Sequence, residues 1–210
     1  MVALAEIRHP AGVDADGEIK YHAIDDGSAA NTNDMAATEI QVHTTSVDAV
    51  ACICRHMHDR WVHWVSMYFP DTQVEAGVED EASAFRFKPT SDLDTHLLVV
   101  AAYHPGQRKM IYYMMYGHPF GIGPAVTNYN RGSEFAMHIT RCLFMVLRLH
   151  FYDDALLLGF SYEAGSAQYS YTQLHKCLGT LLDPKKAQRM STNVNYIWGS
   201  GGAEETDLRR

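Results

Sequence analysis

Two adjacent carboxylates interrupt an apolar run: "HFYDDALLLGF", residues 150–160, sets Asp153 and Asp154 between Phe151-Tyr152 and Ala155-Leu156-Leu157-Leu158. Carboxylates are costly to bury without partners, so the pair belongs either at the polar tip of a β-hairpin or opposite a cation. A different cluster, "CICRHMH", offers Cys52, Cys54, His56 and His58, all zinc-ligand types. On a helix a two-residue step turns about 200°, so Cys52/His56 and Cys54/His58 face nearly opposite ways. On a strand they would share a face but spread over roughly 20 Å. Neither geometry closes a tetrahedron around one ion. His104, His118, His138 and His150 are scattered and read as incidental rather than as ligands.

The elements that must position the acidic pair follow from periodicity. Ser46 can cap a long amphipathic helix whose first turn holds Asp48 and whose apolar residues recur at Val47, Val50, Ala51, Cys54, Trp61, Val65 and Tyr68, with Pro70 as its stop. "LLVVAAY" (97–103) and "MIYYMMY" (110–116) flank a turn with Pro105 and Gly106, which predicts a hairpin. A helix is expected from 125 to about 142, a second hairpin around Asp153-Asp154, a helix from Gln168 to Leu178 closed by Gly179 and Pro184, and a short strand at "NVNYIWG". Residues 1–19, with Pro10, Gly12 and Gly17, read as an irregular lead-in, and "GSAANTND" (27–34) as a loop. Helices alternating with antiparallel hairpins predict an α+β layer fold.

The bulk properties bound the function. A 210-residue chain with 47% hydrophobic residues can bury one full core. Its longest apolar runs are too short to cross a bilayer, no secretory signal pattern opens it, and no membrane partner is expected. Four cysteines at 52, 54, 142 and 177 make no disulfide framework, which points to a reducing, intracellular compartment, nucleus or cytoplasm. The formal charge of −8 argues mildly against a nucleic-acid partner, but its distribution softens the objection. Asp71, Glu75, Glu79, Asp80, Glu81, Asp92 and Asp94 crowd residues 71–94, whereas Arg108, Lys109, Arg131, Arg141, Arg148 and later Lys176, Lys185, Lys186 and Arg189 form basic arms. An acidic centre with basic flanks suits a metal site beside a polyanion, and a set of solvated faces could look the same.

Several short stretches then fall into a familiar order. "VEDEASAFRF" carries Asp80 with Phe85 five residues later, "HPFG" a Pro-Phe-Gly turn at 118–121, "FYDD" the opening pair, "DPKK" Lys186, and "YIWG" a closing strand at 196–199. In that order they resemble the palm motifs of reverse transcriptases: Asp-x-x-x-Ala-Tyr/Phe, Leu-Pro-Phe/Gln-Gly, Tyr/Phe-x-Asp-Asp, Asn-Pro-x-Lys and the primer-supporting strand. "KYHAIDDGSAAN" (20–31) resembles the fingers segment of that family, with Lys20, Asp26 and Asn31 in place. The likeness covers about residues 20–199.

The resemblance implies a polymerase palm, an antiparallel sheet backed by helices, with a partial fingers subdomain and no thumb. It divides the chain into a lead-in (1–19), partial fingers (20–79), a palm (80–199) holding the fingers hairpin (97–116), and a tail (200–210). It implies template-directed DNA synthesis from dNTPs on an RNA or DNA template with a primer. Such phosphoryl transfer needs mainly positioning and charge neutralisation, typically by two Mg²⁺ ions, for which Mn²⁺ could substitute. Mg²⁺ takes hard oxygen ligands, so Asp80 and Asp153 become the implied ligands, with Asp154 assisting. Lys186 would serve the leaving pyrophosphate. Lys20, His22, Phe85, Pro119, Phe120 and Gly121 would line the nucleotide, Phe85 under the sugar, where it argues against an RNA polymerase. Tyr196, Trp198 and Gly199 would support the primer. Departures are visible: His22 and Ser28 stand at the family's two arginine positions, Glu81 at a usually apolar one, and His118 at a leucine. A neutral histidine is no substitute for a bidentate guanidinium. The rival reading is therefore a catalytically inactive, truncated retroelement remnant that keeps the fold and at most weak nucleic-acid binding.

Overall fold

The computed structural model describes residues 3–13, 19–26, 33, 44–93, 95–195 and 205–207. The chain is α+β, with antiparallel sheets backed by helices. It forms two compact units, each assembled from separated stretches: 1–42 with 83–130, and 43–82 with 131–210.

In the first unit the sheet order is β2-β1-β4-β5, where β1 is Ala3–Val13, β2 Ile19–Asp26, β4 Val99–His104 and β5 Lys109–Met114. The expected hairpin is β4–β5, antiparallel from Val99↔Met114 to His104↔Lys109. β1 runs parallel to β4 over Ala3–Ala5 and antiparallel to β2. The lead-in expected to be irregular is thus a strand. Pro10 is accommodated because it lies beyond the stretch paired with β4 and beside a register shift between Pro10 and Val13, where a missing N–H is tolerated. Ala84, Phe85, Val100, Ile122, Ala125 and Tyr129 form this unit's core.

The second unit is built on a fully antiparallel sheet in the order β6-β7-β3-β8, with β3 Val74–Asp80, β6 Leu147–Phe151, β7 Asp154–Phe160 and β8 Gln188–Ser191. Strand alternation gives each face its own cover. On one face, Val74, Ala76, Val78, Leu156, Leu158 and Phe160 pack with Val50 and Met57. These belong to helix α1 (Val47–His56) and to the π-helical stretch Met57–Val62 that continues it, before a last turn at His63–Ser66. Ser46 caps α1 as its sequence suggests, accepting from the Ala49 N–H at 3.2 Å. On the other face, Ala155 and Leu157 meet Ala167 and Tyr171 of helix α3 (Ser166–Leu178), which Gly179 closes with φ +72°. Helix α2 (Gly123–Phe144) extends beyond the expected 125–142, and the division between units falls within it. A short ribbon joins β9 (Asn193–Asn195) to β10 (Glu205–Asp207).

Among the described residues, no helix is long and apolar enough to cross a membrane.

Candidate functional site: a carboxylate cluster on paired strands

The sequence Phe151-Tyr152-Asp153-Asp154 makes a tight turn between β6 and β7. Phe151 pairs with Asp154, so only Tyr152 and Asp153 lie in the loop. Tyr152 takes φ +53°, the left-handed geometry that such two-residue turns need and that a bulky residue rarely adopts. That geometry sets Asp153 at the turn and makes Asp154 the first residue of β7.

β3 delivers the third carboxylate. It pairs with β7 from Val74↔Phe160 to Asp80↔Asp154, so the last residue of one strand stands opposite the first of the other. Beyond the ladder the Glu81 N–H donates to the Asp153 carbonyl at 3.2 Å. Asp80 is only 4% exposed. Three acidic side chains therefore share one end of a strand pair, and burial raises the cost of their charge. Burial first, then a hydrogen bond shared with Asp80 and the charges of Asp153 and Asp80, push Asp154 up to about 7. Asp153 is raised as well, by burial and by the Asp80 and Glu81 charges, against its own backbone hydrogen bond and Lys186.

Lys186 supplies the positive charge. Its Nζ donates to both Asp80 oxygens, at 2.9 and 2.8 Å. Its backbone is carried there by a zipper onto the end of β3: the Ala82 N–H donates to the Leu181 carbonyl at 2.9 Å, Glu81 bridges Leu182, and the Asp183 N–H donates to the Asp80 carbonyl at 2.9 Å. The Lys186 N–H then closes a turn onto the Asp183 carbonyl at 3.2 Å. Burial works against the ammonium charge, but the Asp80 bond and the Asp80, Asp153 and Asp154 charges outweigh it and raise its pKa.

Polar groups on the α3 face brace this end of the sheet. Gln168 donates to Glu79 at 2.7 Å and to the Gln188 carbonyl at 3.0 Å, and accepts from the Met190 N–H, tying α3 to β3 and β8. His175 approaches Glu81 at 3.8 Å and pairs with Thr180. Sequence reading missed Gln168 and His175; their seven-residue spacing, two turns on one helix face, was the available signal.

Of the other residues singled out from sequence, those of the nucleotide and primer sets lie in the first unit or outside the described residues. Phe85, 9% exposed, lies in the first unit's core, tilted on Tyr129 at 4.7 Å and edge-on to Phe120 at 5.2 Å. Pro119 is fully buried, and Gly121 takes φ +111° in the turn before α2. Asn33 fastens that turn, donating to the Gly121 carbonyl and accepting from the Gly123 N–H, each at 3.0 Å. Lys20 and His22 sit on β2, where His22 pairs with His9, but their side chains lie outside the described residues. Ser28, Asn31, Tyr196, Trp198 and Gly199 also lie outside them. Cys52, Cys54 and His56 lie on α1, and His58 on the π-helical stretch that follows it.

Among the described residues, no group of three or more His, Cys, Asp and Glu side chains is arranged to hold a metal ion. The donor chemistry at Asp80, Asp153 and Asp154 nevertheless fits a hard divalent cation, with several carboxylate oxygens and mutual repulsion that a dication would relieve. In this arrangement the Lys186 ammonium takes up both oxygens of Asp80.

No family model matches the chain, and no curated protein matches it. Among solved structures it is similar to the foamy viral protease-reverse transcriptase dRH in complex with double-stranded DNA, with a TM-score of 0.61 and 11% identity. That match covers 93% of this chain and 28% of the viral one. The likeness establishes a reverse-transcriptase-like fold.

Proposed function

We propose that this chain is the polymerase portion of a retroelement reverse transcriptase, adding dNTPs to a primer on an RNA or DNA template. The observation that carries the reading is the meeting of Asp80 with Asp154 across β3 and β7, beside Asp153 and within reach of Lys186. In this reading Asp80 and Asp153 hold two Mg²⁺ ions, or Mn²⁺ in their place, with Asp154 assisting; bound there, the ions would activate the primer 3′-oxygen and neutralise the leaving pyrophosphate. Lys186, held charged, would then donate a proton or a hydrogen bond to that leaving group. Exposed Lys176, Lys185 and Arg189 supply phosphate contacts for the strand, so affinity should fall steeply with salt. Phe85 would stand beneath the sugar and disfavour a ribose 2′-hydroxyl, while Lys20, His22 and the Pro119-Phe120-Gly121 turn line the nucleotide. Tyr196, Trp198 and Gly199 would support the primer.

The experiment is primer extension on poly(rA)/oligo(dT) with dTTP and Mg²⁺ or Mn²⁺, beside Asp153→Asn. Extension by the parent chain and none by the variant supports the reading. A folded parent chain that binds the duplex and extends nothing with either metal would establish the second reading, a catalytically silent remnant. The histidine at position 22, in place of a charged fork, favours that second reading.

A further inference from the structure

The zipper onto β3 fixes the backbone near Lys186 and leaves its side chain half exposed. The side chain is 52% exposed, whereas the Asp80 side chain it grips is almost fully covered. Both Asp80 oxygens are engaged by the one ammonium. A dication that takes an Asp80 oxygen must therefore compete with Lys186 for the same lone pairs, and two cations on one small carboxylate repel strongly.

We propose that Lys186 is the resting counter-ion of Asp80, and that metal entry is an exchange that expels the ammonium from Asp80 and frees it for the incoming triphosphate. This rests on the polymerase reading above and adds an order of events to it. While the site is without metal, the lysine limits the unrelieved negative charge at the end of β3. The arriving dication takes over that neutralising role, and the lysine leaves as a charged donor. A four-carbon arm on a pinned backbone is suited to such a swing, and no strand has to move. Lys185 is a built-in control. It carries the same charge one residue away, and its backbone N–H is tied to Asp183 at 2.9 Å.

The test is Mn²⁺ binding to the full chain, measured by calorimetry and by loss of the free-ion paramagnetic resonance signal, without nucleotide. Lys186→Met should tighten Mn²⁺ binding by about tenfold, the worth of one charge-assisted hydrogen bond no longer competing. Lys185→Met should change it by less than about threefold, as expected of an exposed charge. Lys186→Arg, whose fork can also grip Asp80, should bind Mn²⁺ no tighter than the parent. A second readout is acylation of Lys186 followed by mass spectrometry, which should rise on adding Mg²⁺ while Lys185 changes little. Equal effects of the two methionine variants would overturn the exchange, since a general field would then suffice. So would weaker binding in Lys186→Met. Either result leaves the metal reading standing. No saturable Mn²⁺ binding in the parent or any variant would overturn the metal reading, and the exchange with it.

Discussion

Replacing His150 with leucine should alter how stability depends on pH far more than stability at neutral pH. His150 is 2% exposed on β6, and neither ring nitrogen has a hydrogen-bond partner. Burial, reinforced by the Arg148 charge, lowers its pKa from 6.5 to about 4, although Glu134 pulls the other way from 3.8 Å. The unfolded chain therefore binds a proton between about pH 6.5 and 4 that the folded chain refuses, so stability falls as pH drops through that window. Between pH 7.5 and pH 5 the loss from this one group is about 2 kcal/mol as a ceiling, and about 1 kcal/mol with partial solvent screening. Leucine has a similar size, cannot titrate, and forfeits no side-chain hydrogen bond. The backbone bonds of residue 150 to Thr45 are unaffected by the change. The assay is urea unfolding of both proteins at the two pH values, in EDTA. Near pH 7.5 the variant should match or exceed the parent, and at pH 5 it should gain a further 1–2 kcal/mol or so. The same pH dependence in both proteins would refute the claim that His150 is buried and neutral.

Asp154→Asn should show the opposite trend in EDTA: because the folded Asp154 keeps its proton up to about pH 7, the parent loses stability as pH rises from about 4 to 7. The asparagine variant should therefore gain on the parent between pH 5 and pH 8, by about 1 kcal/mol after allowing for its partial exposure, read from the same urea curves. Gly117→Ala should be severe, because its Cβ would lie 1.9 Å from the Arg86 carbonyl oxygen; a cost above about 3 kcal/mol is expected, seen as lost soluble expression or a large fall in Tm. Phe85→Ala should cost about 3–5 kcal/mol through the cavity left against Tyr129 and Phe120. Phe85→Val, a smaller loss, allows the ratio of kcat/KM for ribo- to deoxynucleotides to be measured in a folded protein, and a rise in that ratio is expected.

What the sequence disclosed and what it hid divide along the reach of the interactions. The β6–β7 and β4–β5 hairpins, the Ser46 cap and the Gly179 stop are written in neighbouring residues, and local reading reached them. β1 escaped because Pro10 and Gly12 look like breakers, and only a neighbouring strand that ends early makes Pro10 tolerable. The π-helical turn at Met57–Val62 lies inside a continuous apolar periodicity that does not mark it. The makeup of each compact unit from separated stretches has no local signature at all. Motif order pointed to Asp80, Asp153, Asp154 and Lys186. The grip of Lys186 on Asp80 spans 106 residues and depends on two backbone hydrogen bonds, together the Glu81–Leu182 bridge, that no spacing encodes.

Arg148 sits 1% exposed in the middle of β6 on the α3 face, donating to the Ser133 carbonyl at 2.7 Å and its hydroxyl at 2.9 Å, with the Tyr171 ring 5.1 Å away. A slip of β6 by a single residue would exchange the two sides of that strand. The guanidinium would then point among Leu156, Leu158 and Phe160, where nothing accepts its protons, at a penalty of several kcal/mol. A hairpin paired one residue out of register would be disfavoured by that amount. The phase of the turn that carries Asp153 is thus favoured by a buried cation on the strand that leads into it.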